Sequence, residues 1–227
     1  MQNSCFVAPY TPPMGRLRLG SILGTQIILD ISFLILTALF VLTYVDRWGM
    51  PNALLWAPVL FIGILAHELA HAAAIGAFGF GPSVIVLGGI GGATFNQRRA
   101  KPWQDMIISA AGPACSLLLA LVPSLLPLPH DLFFRAFLPL FASANLLWGL
   151  FNLIPVGPLD GASILRNFLS LFLAPKAAFM ISVWTSMVLG VGVAIYGVKT
   201  HWYLLSLLMA WYVASSYRQW QLSRSIE

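Results

Sequence analysis

The segment from Ala66 to His71 carries the residue types of this chain that are best suited to chemistry. It has the sequence Ala-His-Glu-Leu-Ala-His and lies inside a long apolar stretch. Residues four apart on a helix differ by only about 40° of rotation, so His67 and His71 project from one face and can bind one metal ion. Glu68 stands beside them and stays available to take a proton from water at the metal. The pattern is typical of hydrolytic zinc sites.

Chance is a weak explanation for this pattern. The chain contains four histidines in 227 residues, and random placement would produce the motif in roughly one of 1,500 such chains. Energetics point the same way, because a charged carboxylate inside a membrane costs about 3 kcal/mol on insertion scales. Ionisable residues at that depth are kept for a function, and we therefore predict a functional site here.

Composition indicates an integral membrane protein. Hydrophobic residues make up 59% of the chain and charged residues only 8%, whereas soluble domains are about 25% charged. The net charge of +5 does not indicate a nucleic-acid-binding face, because the basic residues are scattered at segment ends. The two cysteines, Cys5 and Cys115, lack the spacing of a thiolate zinc site. We expect no nucleic acid and a lipid bilayer as the surroundings.

Apolar segments predict six membrane crossings within a single membrane domain that covers residues 1–227. About 20 helical residues cross a 30 Å hydrocarbon core, and Asp30 is placed to cap the first helix. Two prolines and two glycines interrupt the fourth segment between residues 152 and 161. The predicted spans are about 31–48, 53–78, 104–126, 132–173 with that break, 177–197 and 202–217.

Two segments predict extended structure. Residues 16–29 alternate in part and suggest an extended or interfacial strand before the first span. Residues 83–95 are rich in β-branched residues and carry four glycines in five positions, which favours a strand or hairpin with close backbone approach. The predicted fold class is therefore an all-α integral membrane protein, a six-helix bundle with a short membrane-associated β hairpin or strand.

Charge asymmetry predicts the orientation. With six spans and a cytoplasmic N-terminus, nine basic residues fall inside and three outside, in agreement with the positive-inside rule. Both termini are thus expected in the cytoplasm. The inside set is Arg16, Arg18, Arg98, Arg99, Lys101, Arg166, Lys176, Arg218 and Arg224, and the outside set is Arg47, Arg135 and Lys199.

A catalytic zinc usually has three protein ligands and one open position, so a third ligand is needed. Asp160 is the natural candidate because it follows the helix break. The other acidic residues apart from Glu68 lie near segment ends, in connections or at the terminus. His130 and His201 are poor candidates, since both are predicted on the opposite side of the membrane.

Three features together resemble the site-2 protease family of intramembrane zinc metalloproteases. They are the motif from His67 to His71, the glycine pair Gly91-Gly92, and the run from Asn152 to Gly161. The resemblance covers nearly the whole chain. It implies one zinc ion per chain on His67, His71 and Asp160, with Glu68 as general base and Asn152 near the reacting carbonyl. Independently of the resemblance, we predict that Gly91 and Gly92 take part in substrate binding, because glycines let another backbone come close. Three positions depart from the family's pattern without removing a ligand or the base: Ala70, Ser116 and Ala162.

The implied function is cleavage of transmembrane segments in single-span membrane-protein substrates. A helical substrate must unwind first, and we expect its freed backbone to pair as a strand beside residues 83–95. The alternative is that these glycines only close a tight turn. A metal transporter and a catalytically silent relative that binds membrane segments are the other functions considered. We expect no room for a PDZ insertion or a nucleotide-sensing domain.

Overall fold

The structure, a computed structural model, describes residues 15–89, 91–97, 100–127 and 131–224. Cys5, Arg98, Arg99 and His130, discussed above, lie outside the described residues. The helices are α1 (Ile31–Ala53), α2 (Trp56–Ala77), α3 (Pro102–Leu121), α4 (Leu132–Asn152), α5 (Asp160–Leu169), α6 (Pro175–Lys199) and α7 (Tyr203–Arg224), with a 3-10 helix at Val122–Leu125 after α3. The strands are β1 (Arg16–Ile22), β2 (Thr25–Asp30), β3 (Val84–Gly88) and β4 (Gly91–Phe95).

Among the residues that the structure describes, five helices are long and apolar enough to cross a membrane: α1, α2, α3 with its 3-10 turn, α4 and α6. Their bounds agree with the predicted spans to within a few residues, except that α1 continues to Ala53. The extra turn follows a break, because Gly49 has a non-helical φ of 73° and Pro51 comes two residues later. The chain is a multi-pass integral membrane protein.

Asp30 caps α1 as the sequence predicts. Its side chain accepts a hydrogen bond from the backbone N–H of Ser32 at 3.0 Å, which satisfies one of the amides that a helix leaves unpaired at its start. Asp30 is also the last residue of β2, so strand β2 ends directly before the first membrane helix begins.

The two predicted extended segments form one four-stranded sheet in the order β1-β2-β3-β4. Strands β1 and β2 pair antiparallel, as do β3 and β4, while β2 and β3 pair parallel. Parallel neighbours need a long crossover, and here α1 and α2 provide it. The sequence predicted extended structure in both segments, but it predicted a single strand in residues 16–29, where the structure has the antiparallel pair β1 and β2. It did not predict that the two segments join in one sheet. The side chains of Ile27, Ile85 and Leu87 are buried in one hydrophobic core with residues of α1 and α2, and so hold the sheet to the helices.

Helix α2 is the centre of the molecule. Half of the residues in its apolar 18-residue stretch are buried, whereas at most 28% are buried in the corresponding stretches of the other four membrane-crossing helices. A helix surrounded on most sides can keep ionisable side chains away from lipid. Between α4 and α5 the chain leaves the helical path over residues 153–159 and re-enters it at Asp160, where the prolines of this stretch predicted a break.

Candidate metal centre

His67, His71 and Asp160 converge on one point. The Nε2 atom of His67 lies 3.1 Å from Asp160 Oδ2, and the Nε2 atom of His71 lies 3.4 Å from the same oxygen. Tetrahedral zinc with ligand bonds of about 2.05 Å separates neighbouring ligand atoms by about 3.3 Å. The spacing therefore suits such an ion, and within the described part of the chain these residues form the group that could hold a metal.

The hydrogen bonds of the Nδ1 atoms leave the Nε2 atoms of both histidines able to bind a metal. His71 Nδ1 donates to the backbone carbonyl of Ile108 at 2.6 Å. A carbonyl only accepts, so the proton of the neutral ring sits on Nδ1 and Nε2 keeps a lone pair. His67 Nδ1 lies 3.0 Å from the Ser116 hydroxyl, which can accept the corresponding hydrogen bond. Both rings can thus present an unprotonated Nε2 to the ion.

Helix α3 leaves room for this centre through a glycine. A Cβ atom at Gly112 would lie 2.6 Å from His67 Nε2, closer than side chains approach each other. Sequence reasoning assigned no role to Gly112, Ser116 or Ile108. The small residues Ser109, Gly112 and Ser116, which are all buried, could have indicated the close contact of α3 with a neighbouring helix.

Asp160 reaches the histidines because α6 holds the interrupted segment. The backbone N–H of Gly157 donates to Ser186 Oγ at 3.1 Å. Beyond Asp160, Ser182 Oγ donates to the carbonyl of Ala162 at 3.2 Å. The two serines of α6 thus bind the backbone before and after Asp160. Neither serine was identified from the sequence.

Glu68 is buried between α2 and β4. Its side chain is 5% exposed, and Thr94 Oγ1 donates to its Oε2 atom at 2.7 Å. Gly92 lies against the other oxygen, since a Cβ atom there would come 2.6 Å from Glu68 Oε1. The glycine thus lets β4 approach the carboxylate, and the threonine binds it. Thr94 was not identified from the sequence.

Gly91 and Asn152 both contact Trp148. A Cβ atom at Gly91 would come 2.7 Å from Cζ2 of Trp148, so this glycine permits close packing of β4 on α4. Asn152 Nδ2 donates to the backbone carbonyl of Trp148 at 2.9 Å. Gly88 pairs with Gly91 across the β3–β4 hairpin, so some of the glycines do serve a tight turn, as the alternative interpretation expected.

A cleft of about 790 Å³ connects these groups. All seven site residues predicted from the sequence line it: His67, Glu68, His71, Gly91, Gly92, Asn152 and Asp160. The cleft is large enough for several residues of an extended peptide, and its walls come from α2, the β3–β4 hairpin and the ends of α4 and α5.

A second polar cluster, formed by Arg16, Asp30, Ser32 and Gly89, also contributes to the cleft. Ser32 donates through its hydroxyl and its amide to Asp30 Oδ1, at 2.5 and 3.0 Å, and Arg16 Nε donates to Oδ2 at 2.9 Å. These hydrogen bonds, with those from Ser32 the strongest, lower the pKa of the Asp30 carboxyl to about 2. The N–H of Gly89 donates to Ser32 Oγ at 2.8 Å, so the cluster ties the β3–β4 turn to the start of α1.

Known proteins with related sequences are zinc metalloproteases by name. A provisionally named zinc metalloprotease of Synechocystis is 34% identical over 167 residues, which are 67% of this chain and 44% of that protein. A zinc metalloprotease of Methanocaldococcus jannaschii is 32% identical over 159 residues, or 68% of this chain and 45% of that protein. No protein-family model matches the chain.

The fold is similar to that of the site-2 protease from Methanocaldococcus jannaschii. The two structures align with a TM-score of 0.66 and 25% sequence identity, over 89% of this chain and 94% of that one. The chain belongs to the site-2 protease family. The family resemblance inferred from the sequence motifs is thereby confirmed. This member of the site-2 protease family spans less than half the length of the two relatives described above.

Proposed function

We propose that the chain is a zinc-dependent intramembrane endopeptidase that cleaves transmembrane segments of membrane-protein substrates. The observation that carries this proposal is the convergence of His67, His71 and Asp160 on one point beside the buried carboxylate of Glu68. All four line a cleft at a helix whose composition is that of a membrane span. Membership of the site-2 protease family supports the same activity.

One zinc ion per chain fits the donor set. Two neutral imidazoles and one carboxylate are the ligand types found in catalytic zinc sites, which leave a fourth position open. When bound there, zinc activates water and polarises a peptide carbonyl. The glycine at position 112 keeps the space beside the Nε2 atoms clear.

Glu68 is assigned as the proton carrier. Its carboxylate lies beside the ligand group but makes no hydrogen bond with either histidine among the described residues. It takes a proton from the attacking water and passes it to the leaving amine, as a general base and then a general acid. Burial excludes bulk water that would otherwise solvate the carboxylate.

Asn152 is assigned to the carbonyl oxygen of the scissile bond. Its amide has two N–H groups, and one of them donates to Trp148. That hydrogen bond fixes the orientation of the amide, and the second N–H can donate to the oxygen as negative charge develops there. The side chain is 8% exposed, so little water competes for it.

Substitution of Glu68 by Gln tests the proposal. We expect Glu68→Gln to lose hydrolysis of a single-span test substrate in lipid nanodiscs while binding about one zinc per chain, because the base is not a ligand. His67→Ala and His71→Ala should lose both properties. If Glu68→Gln lost its zinc as fully as the histidine variants do, the assigned roles would be wrong.

Six membrane crossings, with both termini in the cytoplasm, complete the proposed membrane domain. Helix α7 has 22 residues and a length of about 33 Å, which is enough to cross a core of about 30 Å. The nine-to-three distribution of basic residues supports this orientation. Accessibility tags at the two ends should report the same side of the membrane, and ends on opposite sides would refute the six-span arrangement.

An unwound substrate is proposed to pair with the outer edge of β4. Strand β3 is paired on both sides, by β2 and β4, whereas β4 is a terminal strand of the sheet. β4 also carries Gly92 and Thr94, which contact the catalytic carboxylate. A peptide added to this edge would gain main-chain hydrogen bonds for the amides that unwinding sets free.

Backbone ester substitution along residues 91–95 can test this pairing. Replacing an amide by an ester removes one N–H donor and keeps the side chain, so contacts with Glu68 survive. Under strand addition, kcat/KM should fall at alternate positions while zinc content is unchanged. Equal tolerance at all positions would rule out pairing at β4 and favour the tight-turn explanation of the glycines.

Metal transport is the weaker explanation. A transport path needs successive ligand sets, and across residues 15–89, 91–97, 100–127 and 131–224 the structure brings one such His/Asp group together. Metal transport also does not require a carboxylate such as Glu68 beside the ligands, whereas hydrolysis requires a general base there.

A further inference from the structure

Strand β4 makes a polar contact with helix α2 through the side chain of Thr94. Thr94 Oγ1 lies 2.7 Å from Glu68 Oε2 and 3.1 Å from the backbone carbonyl oxygen of Glu68. A hydroxyl has a single proton, and a carboxylate is a stronger acceptor than a carbonyl. The shorter contact is therefore the principal hydrogen bond.

A glutamate that transfers protons has to be held in place. Its side chain rotates about three bonds, whereas proton transfer needs the carboxylate within about 3 Å of the water. Here Gly92 borders Oε1 and Thr94 binds Oε2. Among the described residues, the side-chain hydrogen bond that orients this carboxylate comes from Thr94. With Oε2 engaged, Oε1 is the oxygen left to accept the proton.

We propose that Thr94 is a positioning residue for Glu68, holding one carboxylate oxygen so that the other faces the reacting water. The inference rests on the proposed function. Threonine suits the task, because its branched Cβ restricts rotation about χ1 and so fixes the direction of the hydroxyl. The same strand is the one proposed to receive the substrate, so the base and the peptide would be aligned by one element.

A purely structural role for Thr94 makes different predictions. Threonine favours strands because its branched side chain packs well on a pleated surface. In that role Thr94→Val would keep wild-type stability and kcat, since valine has the same shape as threonine and a methyl group in place of the hydroxyl. Serine, which keeps the hydroxyl and lacks the methyl group, would be the worse replacement.

The experiment compares Thr94→Val with Thr94→Ser in the full chain, reconstituted in nanodiscs with a single-span test substrate. We expect kcat to fall about 10- to 100-fold in Thr94→Val, the rate equivalent of one charge-assisted hydrogen bond. KM and zinc content should stay at wild-type values. Thr94→Ser should recover most of the lost kcat. Thr43→Val is the matched control, because the Thr43 hydroxyl only donates to the Leu39 carbonyl of its own helix.

Each outcome bears on the inference. Wild-type kcat in Thr94→Val would overturn it, and so would equal losses in the valine and serine variants or loss of zinc from the valine variant. If thermal unfolding shows that Thr94→Val does not fold, Thr94→Ala replaces it with the same expectations. Failure of the proposed function is a separate result, because the wild-type chain itself would then not cleave the substrate.

Discussion

Replacing Gly112 by Ala should strongly weaken zinc binding at the proposed metal site without weakening the helix. The added Cβ atom would lie 2.6 Å from His67 Nε2, whereas ordinary contact begins at 3.4 Å. The imidazole would have to retreat by about 0.8 Å, while ligand distances in a zinc site tolerate about 0.2 Å. His71 is affected more strongly, because its Cε1 atom would also lie 2.6 Å from the new methyl group and its Nε2 atom would lie closer still. Both ligands would be displaced together.

The expected loss of zinc affinity is at least 100-fold, the upper range seen when a supporting partner of a ligand is removed. Helix propensity works in the opposite direction, since alanine is favoured over glycine by about 1 kcal/mol in a helix. Zinc affinity is measured by competition with a chromogenic chelator in detergent. The matched control is Gly192→Ala in α6, where a Cβ atom has no neighbour within 4 Å. A folded Gly112→Ala protein with wild-type zinc affinity would refute the geometry described here.

Three further predictions address the base, the third ligand and the sheet. Gly92→Ala should remove hydrolysis and keep the zinc, because the new Cβ would lie 2.6 Å from Oε1 of Glu68; metal analysis beside an activity assay checks this, and retained activity would contradict it. Ser186→Ala removes the acceptor of the Gly157 N–H, so zinc affinity should fall about 10-fold, and an unchanged dissociation constant would contradict the role of α6. Asp30 has a pKa of about 2 in the folded chain against an ordinary value of 3.8. The ionised Asp30 carboxylate therefore stabilises the folded chain fully above about pH 4, and this stabilisation is lost as the pH falls toward 2. Asp30→Asn should lower the Tm at pH 7, and this difference should shrink between pH 4 and 2; a difference independent of pH would contradict the assignment.

Periodicity and chemistry within single segments made much of this protein predictable. The spacing of His67 and His71 needs only the geometry of one helix to bring two ligands to one face. Asp30 caps a helix through atoms two residues away, and the helix break before Asp160 follows from prolines within that stretch. Such features depend on neighbours in the chain, and composition adds the membrane environment.

The groups that hold the proposed catalytic residues were not predictable in the same way. Thr94 lies 26 residues from Glu68, and Ser116 lies 49 residues from His67. Hydroxyl residues are common in membrane helices and strands, so nothing local marks these two as partners of the site. The union of β2 with β3 into one sheet also depends on a crossover through two whole helices.

The sequence by itself therefore determined the membrane setting, the helix breaks and the residue types of the candidate metal centre, because each depends on local periodicity, local turn chemistry or composition. Only the tertiary structure decided which side chains orient those residues and how closely α3 and β4 approach them. The physical reason is that such contacts join distant segments, and their distances are set by the packing of whole helices and strands. A missing Cβ at Gly112 or Gly92 has meaning only once the neighbour that fills its space is known.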